Sequence, residues 1–331
     1  MRALLSKQPG PPESLVVGTL PDPQPDPGQV RIRVAACGIN YPDVLIIQDR
    51  YQFKPERPFA PGCEVAGTID AVGAGVSEFK VGDRVFGGTG WGGLAERVAI
   101  PAARCFHLPK SMPAEEGAAF LMTYGTSHHA LKDRARLKRD ETLLILGAAG
   151  GVGLAAVELG KLMGARVIGA VSTEAKAATA RERGADETLV YPSGKLDKNA
   201  ARALSEEIKR IAGGTVDVIY DAVGGDYAEA ALRSISWDGR FLVVGFPAGI
   251  PSVPLNLTLL KGCSIVGVFW GTFVQRFPEL HRRNVGELVD LYEAGKLRPL
   301  VSATYPFERG AEAIAHLASR SAVGKVVVTF A

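Results

Sequence analysis

Residues 142–171, TLLILGAAGGVGLAAVELGKLMGARVIGAV, constrain the fold more than any other stretch of the chain. Thr142–Leu146 is a short apolar run with strand character. A glycine-rich turn follows it, Gly147-Ala148-Ala149-Gly150-Gly151-Val152-Gly153, then helical spacing over 154–163, then a second apolar run, Arg166–Val171. That succession predicts a βαβ unit with a phosphate-binding turn. Small residues let the backbone approach a pyrophosphate, and the helix N-terminus offers unpaired N–H groups and a positive dipole end. The common pattern is G-x-G-x-x-G, and Ala148 stands at its first glycine. The flanking strand and helix supply the context that a bare glycine cluster lacks. Ala148, Ala149, Gly150, Gly151, Val152 and Gly153 are therefore the candidate dinucleotide-binding residues; a glycine-rich loop packed on a helix is the alternative. Leu143–Val157 is uncharged, but at 15 residues and with four glycines it is too short to span a bilayer.

The end of the second strand selects between the two nicotinamide dinucleotides. A site for NAD places a carboxylate there to hold the ribose 2′-OH. Here the strand runs into Gly169-Ala170-Val171-Ser172-Thr173, with no acid, and Lys176 lies one helical turn on. Two hydroxyls and a cation suit a 2′-phosphate. Ser172, Thr173 and Lys176 thus predict NADPH as the cofactor, against the alternative of a solvated surface lysine.

A chain of 331 residues suits two domains with a sizeable core. The net charge of +3 does not argue for nucleic acid. The one basic run, 132–140, is interleaved with acids and is expected to be a solvated helix end. Cys37, Cys63, Cys105 and Cys263 form no CxxC pair, which predicts reduced thiols and a cytoplasmic protein. No apolar leader opens the sequence, and the apolar region 241–274 is broken by prolines and Lys261, so no membrane span is expected.

Residues 1–120 read as a β-rich domain, with short strands at Gln29–Ala36, Glu64–Val72, Arg84–Gly87 and Arg97–Ile100. Residues 121–270 alternate strand and helix. Further strands at Glu187–Val190, Val216–Asp221, Arg240–Gly245 and Cys263–Phe269 complete six, a Rossmann-type doubly wound parallel sheet, so the class is α/β. Residues 271–331 are expected to form a tail that returns to the β-rich domain, ending in the strand Lys325–Phe330. Ligands are expected in a cleft between domains.

This order resembles the medium-chain dehydrogenase/reductase superfamily, and within it the zinc-free NADPH:quinone oxidoreductases. The matching segments are 37–43, CGINYPD; 61–67, PGCEVAG; 81–85, VGDRV; 147–153; and 324–327, GKVV. The resemblance implies a GroES-like fold for the β-rich domain. Zinc-dependent relatives hold a catalytic metal through a Cys, a His-Glu pair and a later Cys. Here those places are Asn40, Cys63-Glu64 and the neighbourhood of Met122–Tyr124, which has no thiol. A catalytic zinc needs three protein ligands, so no metal is expected. Without a Lewis acid the reaction favours quinones and α,β-unsaturated carbonyls, whose conjugation carries incoming charge to a distant oxygen.

The resemblance also implies site residues. Asn40 matches an Asn and Tyr51 a tyrosine of the family's site; both are candidate catalytic donors, and Asn40 a candidate contact to the nicotinamide. A second family tyrosine corresponds to Leu45. Thr123 matches a position near the nicotinamide, Tyr191 one near the adenosine phosphate, and Lys325 a lysine near the cofactor. Phe246, Phe269 and Trp270 follow the fifth and sixth strands, at the ligand-binding edge, as pocket wall or as core. His128 and His129 are expected as helix surface and domain contact, with a proton relay as the alternative. Cys263–Phe269, apolar and uncharged, is expected at the sheet edge, where it would pair with a second copy to give a homodimer. Three activities fit: an NADPH-dependent quinone reductase, an enone or enoyl-thioester reductase, or a non-catalytic NADPH-binding redox sensor.

Overall fold

The computed structural model describes all 331 residues. In chain order the strands are β1 (Arg2–Leu5), β2 (Val16–Thr19), β3 (Gln29–Ile39), β4 (Glu64–Val72), β5 (Arg84–Gly88), β6 (Arg97–Pro101), β7 (Cys105–His107), β8 (Thr142–Leu146), β9 (Arg166–Val171), β10 (Glu187–Val190), β11 (Val216–Asp221), β12 (Ile235–Val243), β13 (Ser264–Gly267), β14 (Val301–Pro306) and β15 (Lys325–Thr329). The chain divides into two compact units, Met1–Met122 with Arg298–Ala331, and Thr123–Leu297.

The first unit is built on a seven-stranded sheet in the order β14-β15-β3-β4-β5-β7, with β6 also pairing β3, beside the hairpin β1-β2. Strand β3 shows why. Val30, Ile32 and Val34 alternate with Arg31 and Arg33, and the aliphatic set is buried. Arg31 is held on the other face by Asp70 at 2.7 Å, which also accepts from Arg97 at 3.0 Å. After Val34 the alternation stops, and Ala36–Ile39 is buried on both sides. This half of β3 lies between β15 and β4, with Val326 opposite Ile39 and Gly38 opposite Glu64.

The second unit is a parallel sheet in the order β10-β9-β8-β11-β12-β13. Its central strand β8 is apolar from Leu143 to Leu146, and those four residues are wholly buried, as a strand covered on both faces must be. Strand order reverses between β8 and β11, so the carboxyl ends Leu146 and Asp221 mark the switch point where ligands of such sheets bind.

Several expectations need correction. The chain rejoins the first unit only at Arg298, so 271–297 belongs to the nucleotide-fold unit. The reason is packing: the helix Pro278–Glu293 buries His281, Asn284, Val285, Leu288 and Tyr292. Strand β12 starts five residues earlier than read, because Ile235 pairs with Val216 ahead of an irregularity in register. His128 and His129 are buried rather than on a helix surface. They sit where the helix Leu121–His128 widens into a π-helical turn, His129–Arg134. His129 Nδ1 lies 2.8 Å from Asp133 and its ring stacks on Phe273, while His128 Nε2 lies 3.3 Å from Glu287. Lys132 of the basic run also bonds Glu287, at 2.5 Å. No helix is long and apolar enough to cross a membrane, and all four cysteines are free.

Candidate functional site

In the second unit, β8 runs into the glycine turn as the sequence implies. Gly147 takes φ +75° and donates to Ala170 O at 3.0 Å, tying the turn to β9. Ala148 N–H donates to the same carbonyl at 3.1 Å, and Gly150 N–H donates to Gly147 O at 3.0 Å. The helix Gly151–Leu162 starts at once. A Cβ on Gly153 would lie 2.1 Å from Gly147 O, so only glycine lets this helix cross so close to the turn. Of the six turn residues read from sequence, Ala148 and Gly150 have committed their N–H groups internally. Gly151, Val152 and Gly153 form the first helical turn, whose N–H groups have no intrahelical acceptor. Ala148 and Ala149 are buried under the turn. The arrangement fits a pyrophosphate.

At the end of β9, Thr173 caps the helix Glu174–Glu182, its hydroxyl accepting from Lys176 N–H at 3.3 Å. Lys176 Nζ lies 3.5 Å from Ser172 Oγ, so the three residues converge. Burial pushes the Lys176 ammonium below its usual range, and an anion beside it would relieve that cost. Tyr191, just past β10, is buried against Tyr227 with ring centroids 4.8 Å apart, and its hydroxyl meets the Gly147 backbone. It supports the turn from below. Burial is the main cause raising its pKa, with smaller contributions from Tyr227 and Asp221.

Asp221, at the end of β11, was not singled out in the sequence. Its Oδ1 accepts from Val223 and Gly224 N–H at 2.9 and 2.8 Å, shaping the next turn. Burial pushes its carboxyl up to about 6. Phe246 and Phe269 remain partly exposed past β12 and β13. Trp270 is buried, edge-on to His281 and close against Gly125. Thr123 is buried on the helix Leu121–His128.

In the first unit, β15, β3 and β4 end level with one another, and their ends bring together Lys325, Asn40 and Glu64. Lys325 Nζ donates to Glu64 Oε1 at 2.6 Å, Asn40 Oδ1 at 2.8 Å and Ile39 O at 3.0 Å. Asn40 Nδ2 donates to Glu64 Oε1 at 2.8 Å and Gly38 O at 3.2 Å. Glu64 Oε2 accepts from Met122 N–H at 2.9 Å. Every member is buried. Lys325, expected near the cofactor, spends its three N–H bonds inside the unit.

Asn40 also precedes the helix Tyr41–Ile46. Asp43 Oδ2 accepts from Asn40 N–H at 2.8 Å and Oδ1 from Gly62 N–H at 2.9 Å. The Cys63 thiol donates to Asp43 Oδ2 at 3.9 Å. Burial, opposed by these backbone donors, pushes the Asp43 carboxyl up to about 6. Burial raises the Cys63 thiol well above its usual range, with Asp43 and Glu64 adding to it, so it stays protonated. Tyr51 is half-buried against Phe53, ring centroids 5.9 Å apart. Its pKa is pushed up to about 12 by burial first, then by Cys63 and Asp43. The resemblance drew attention to Asn40, Tyr51 and Lys325; the side-chain roles of Glu64 and Asp43 were missed. Their signal was present: a Lys opening Lys325-Val-Val-Val, a Glu opening β4, and an acid three residues after Asn40.

These side chains do not fit a zinc ion. Glu64 is engaged by an ammonium, an amide and a backbone N–H, Cys63 carries a proton, and no three His, Cys, Asp or Glu groups are placed to hold a metal.

Residues 26–110 match the alcohol dehydrogenase GroES-like domain, and residues 151–285 the zinc-binding dehydrogenase model. The chain is 38% identical over 304 residues to quinone oxidoreductase-like protein 2 homolog of Nematostella vectensis, covering 91% of this chain and 81% of that protein. A mycobacterial structure complexed with NADPH, Rv1454c, superposes with a TM-score of 0.92 at 31% identity, over 99% of this chain and 100% of that one. Escherichia coli quinone oxidoreductase, also complexed with NADPH, superposes with a TM-score of 0.90 at 28% identity, over 99% and 100%.

Proposed function

The chain belongs to the quinone oxidoreductases of the medium-chain dehydrogenase/reductase superfamily, and on that premise we propose that it reduces quinones or other conjugated carbonyls with NADPH and without a metal. The observation that carries this reading is the closed Lys325–Asn40–Glu64 cluster. By the resemblance, Asn40 and Glu64 take two of the places where zinc-dependent relatives hold their metal, and here Glu64 is the partner of an ammonium. NADPH, when bound, supplies the hydride. Gly151, Val152 and Gly153 hold its pyrophosphate, Ser172, Thr173 and Lys176 its 2′-phosphate, and Tyr191 braces the turn from below.

Negative charge arriving on the substrate must meet a donor. The Tyr51 hydroxyl is suited to this, since burial keeps it protonated. A preorganised donor of this kind contributes about 3–4 kcal/mol to an oxyanion. That suffices where conjugation spreads the charge and falls short for a saturated ketone. The protein would be cytoplasmic, consistent with its free thiols. The enone and enoyl-thioester reductions share this chemistry.

The test is NADPH oxidation over quinones, enones, enoyl-CoAs and saturated ketones, with and without chelator. The reading expects turnover of conjugated substrates only, unchanged by the chelator. Tyr51→Phe should lower kcat/KM on an enone by about 100-fold, with NADPH affinity kept. Robust alcohol oxidation, or loss of activity on removal of one zinc per chain, would overturn it. NADPH binding with no turnover at all would favour the redox sensor.

A further inference from the structure

We propose that Lys325 and Glu64 are positioning residues that pin the Asn40 carboxamide as an acceptor-only group, so that Asn40 selects for a hydrogen-bond donor and leaves the charge of the reduced product to Tyr51. The proposal deepens the reading above and rests on it.

The argument is one of hydrogen-bond capacity. An ammonium has three donors and no acceptor, a carboxylate only acceptors, and a primary amide two N–H donors and one oxygen with two lone pairs. All three Lys325 donors are placed, on Ile39 O, Asn40 Oδ1 and Glu64 Oε1. Both Asn40 N–H groups are placed, on Glu64 Oε1 and Gly38 O. The orientation of the amide is not free. Turning it over would set its NH2 against the ammonium and its oxygen against the carboxylate. Both clashes would occur among side chains exposed by 8% or less, where an unmet polar group is costly.

One function of Asn40 is left: the second lone pair of Oδ1. A lone pair repels a developing oxyanion and attracts an N–H or O–H. Asn40 therefore cannot be the donor that its family match suggests. Its partner must carry a donor. A quinone or an enone presents only acceptor oxygens. The nicotinamide carboxamide carries N–H groups, and a hydroquinone product carries O–H groups, so the shared chemistry is a hydrogen-bond donor from either source. The charge of the reduced substrate then falls to Tyr51.

Two matched ligand pairs separate the sources, titrated anaerobically on the wild-type protein. NADPH is compared with its 3-acetylpyridine analogue, in which a methyl replaces the amide NH2, and a hydroquinone with its quinone. The donor member of one pair should bind about tenfold tighter, the effect of leaving a buried acceptor unpaired. Asn40→Leu, which keeps the Lys325–Glu64 pair, should abolish that preference. The charge-neutral double variant Lys325→Met/Glu64→Gln frees the amide to turn, and should cut the preference to less than about threefold at an unchanged melting temperature. Absence of a donor preference in both wild-type pairs would overturn the assignment, as would its survival in Asn40→Leu or in the folded double variant. A purely structural role would move melting temperature and leave the ratios alone. Failure of turnover on every conjugated carbonyl would remove the proposed activity while leaving these ratios readable.

Discussion

At the residue scale the two units differ in how openly the sequence states them. Ser172, Thr173 and Lys176 are local in the chain, and a helix cap brings them together, so reading along the sequence sufficed to group them. Lys176→Ala should weaken NADPH binding about tenfold, roughly 1.4 kcal/mol, and leave NADH binding little changed. Fluorescence titration with both cofactors checks this, and equal losses would remove Lys176 from the phosphate site. The Asn40 cluster joins residues far apart in the chain, and no spacing rule connects Lys325 to Glu64. Only the pairing of β15 and β4 on either side of β3 does so. Asp43 carries a further consequence. Its folded carboxyl titrates near 6, above its ordinary 3.8, so the folded state holds the extra proton between those values. The stability it lends is complete below about pH 4 and is lost as pH rises through 6, an effect on the order of 3 kcal/mol. Asp221 titrates in the same window with the same sign. Chemical denaturation of wild type and Asp43→Asn at pH 4 and pH 7 should show a smaller loss between the two pH values in the variant, although its stability at neutral pH is also lowered by a weakened Asn40 and Gly62 contact. An unchanged pH slope would contradict the assignment.

At the element scale, the strand–turn–helix of 142–162 was legible because its information is periodic and local: an apolar run, a glycine cluster, then helical spacing. The start of β12 was not, because Ile235 joins the sheet through pairing with Val216, a contact between strands. The segment 271–297 was assigned to the wrong unit for a similar reason. Amphipathic spacing says that the helix Pro278–Glu293 buries one face, and not which unit receives it. The turn gives a direct test. A methyl on Gly153 would sit 2.1 Å from Gly147 O, a backbone atom that cannot yield without moving the turn. Gly153→Ala should cost about 1–3 kcal/mol in stability by overpacking and weaken NADPH more than tenfold, since the first helical turn would shift away from the pyrophosphate. Retained affinity in a folded variant would show that the phosphates bind elsewhere.

At the scale of the whole molecule, the fold class followed from the order of elements, while assembly depends on a surface that the sequence only hinted at. Strand β13 ends the parallel sheet and pairs only with β12. It is shorter than the apolar segment Cys263–Phe269 that predicted it, since the chain leaves the sheet after Gly267 and turns into the helix Trp270–Arg276. Around this edge the apolar surface is wide. Ile265 and Phe269 are exposed, Leu255 and Leu259 on or beside the helix Asn256–Lys261 are 73% and 80% exposed, and Trp237 packs against Gly262 while remaining 73% exposed. One edge carbonyl, Gly267 O, is met by Arg134 at 3.1 Å. An uncovered apolar edge invites pairing, and antiparallel pairing with a two-fold mate would cover the strand and its flanking leucines at once. We therefore expect a homodimer in solution at micromolar concentration, twice the 35.0 kDa of the chain by light scattering. Ile265→Lys places a charge in the middle of the edge and should shift the protein to monomer, with NADPH affinity largely kept because the phosphate-binding residues lie on other elements. A monomeric wild type would refute the pairing, and a dimer that survives both Ile265→Lys and Leu259→Lys would place the interface on another face.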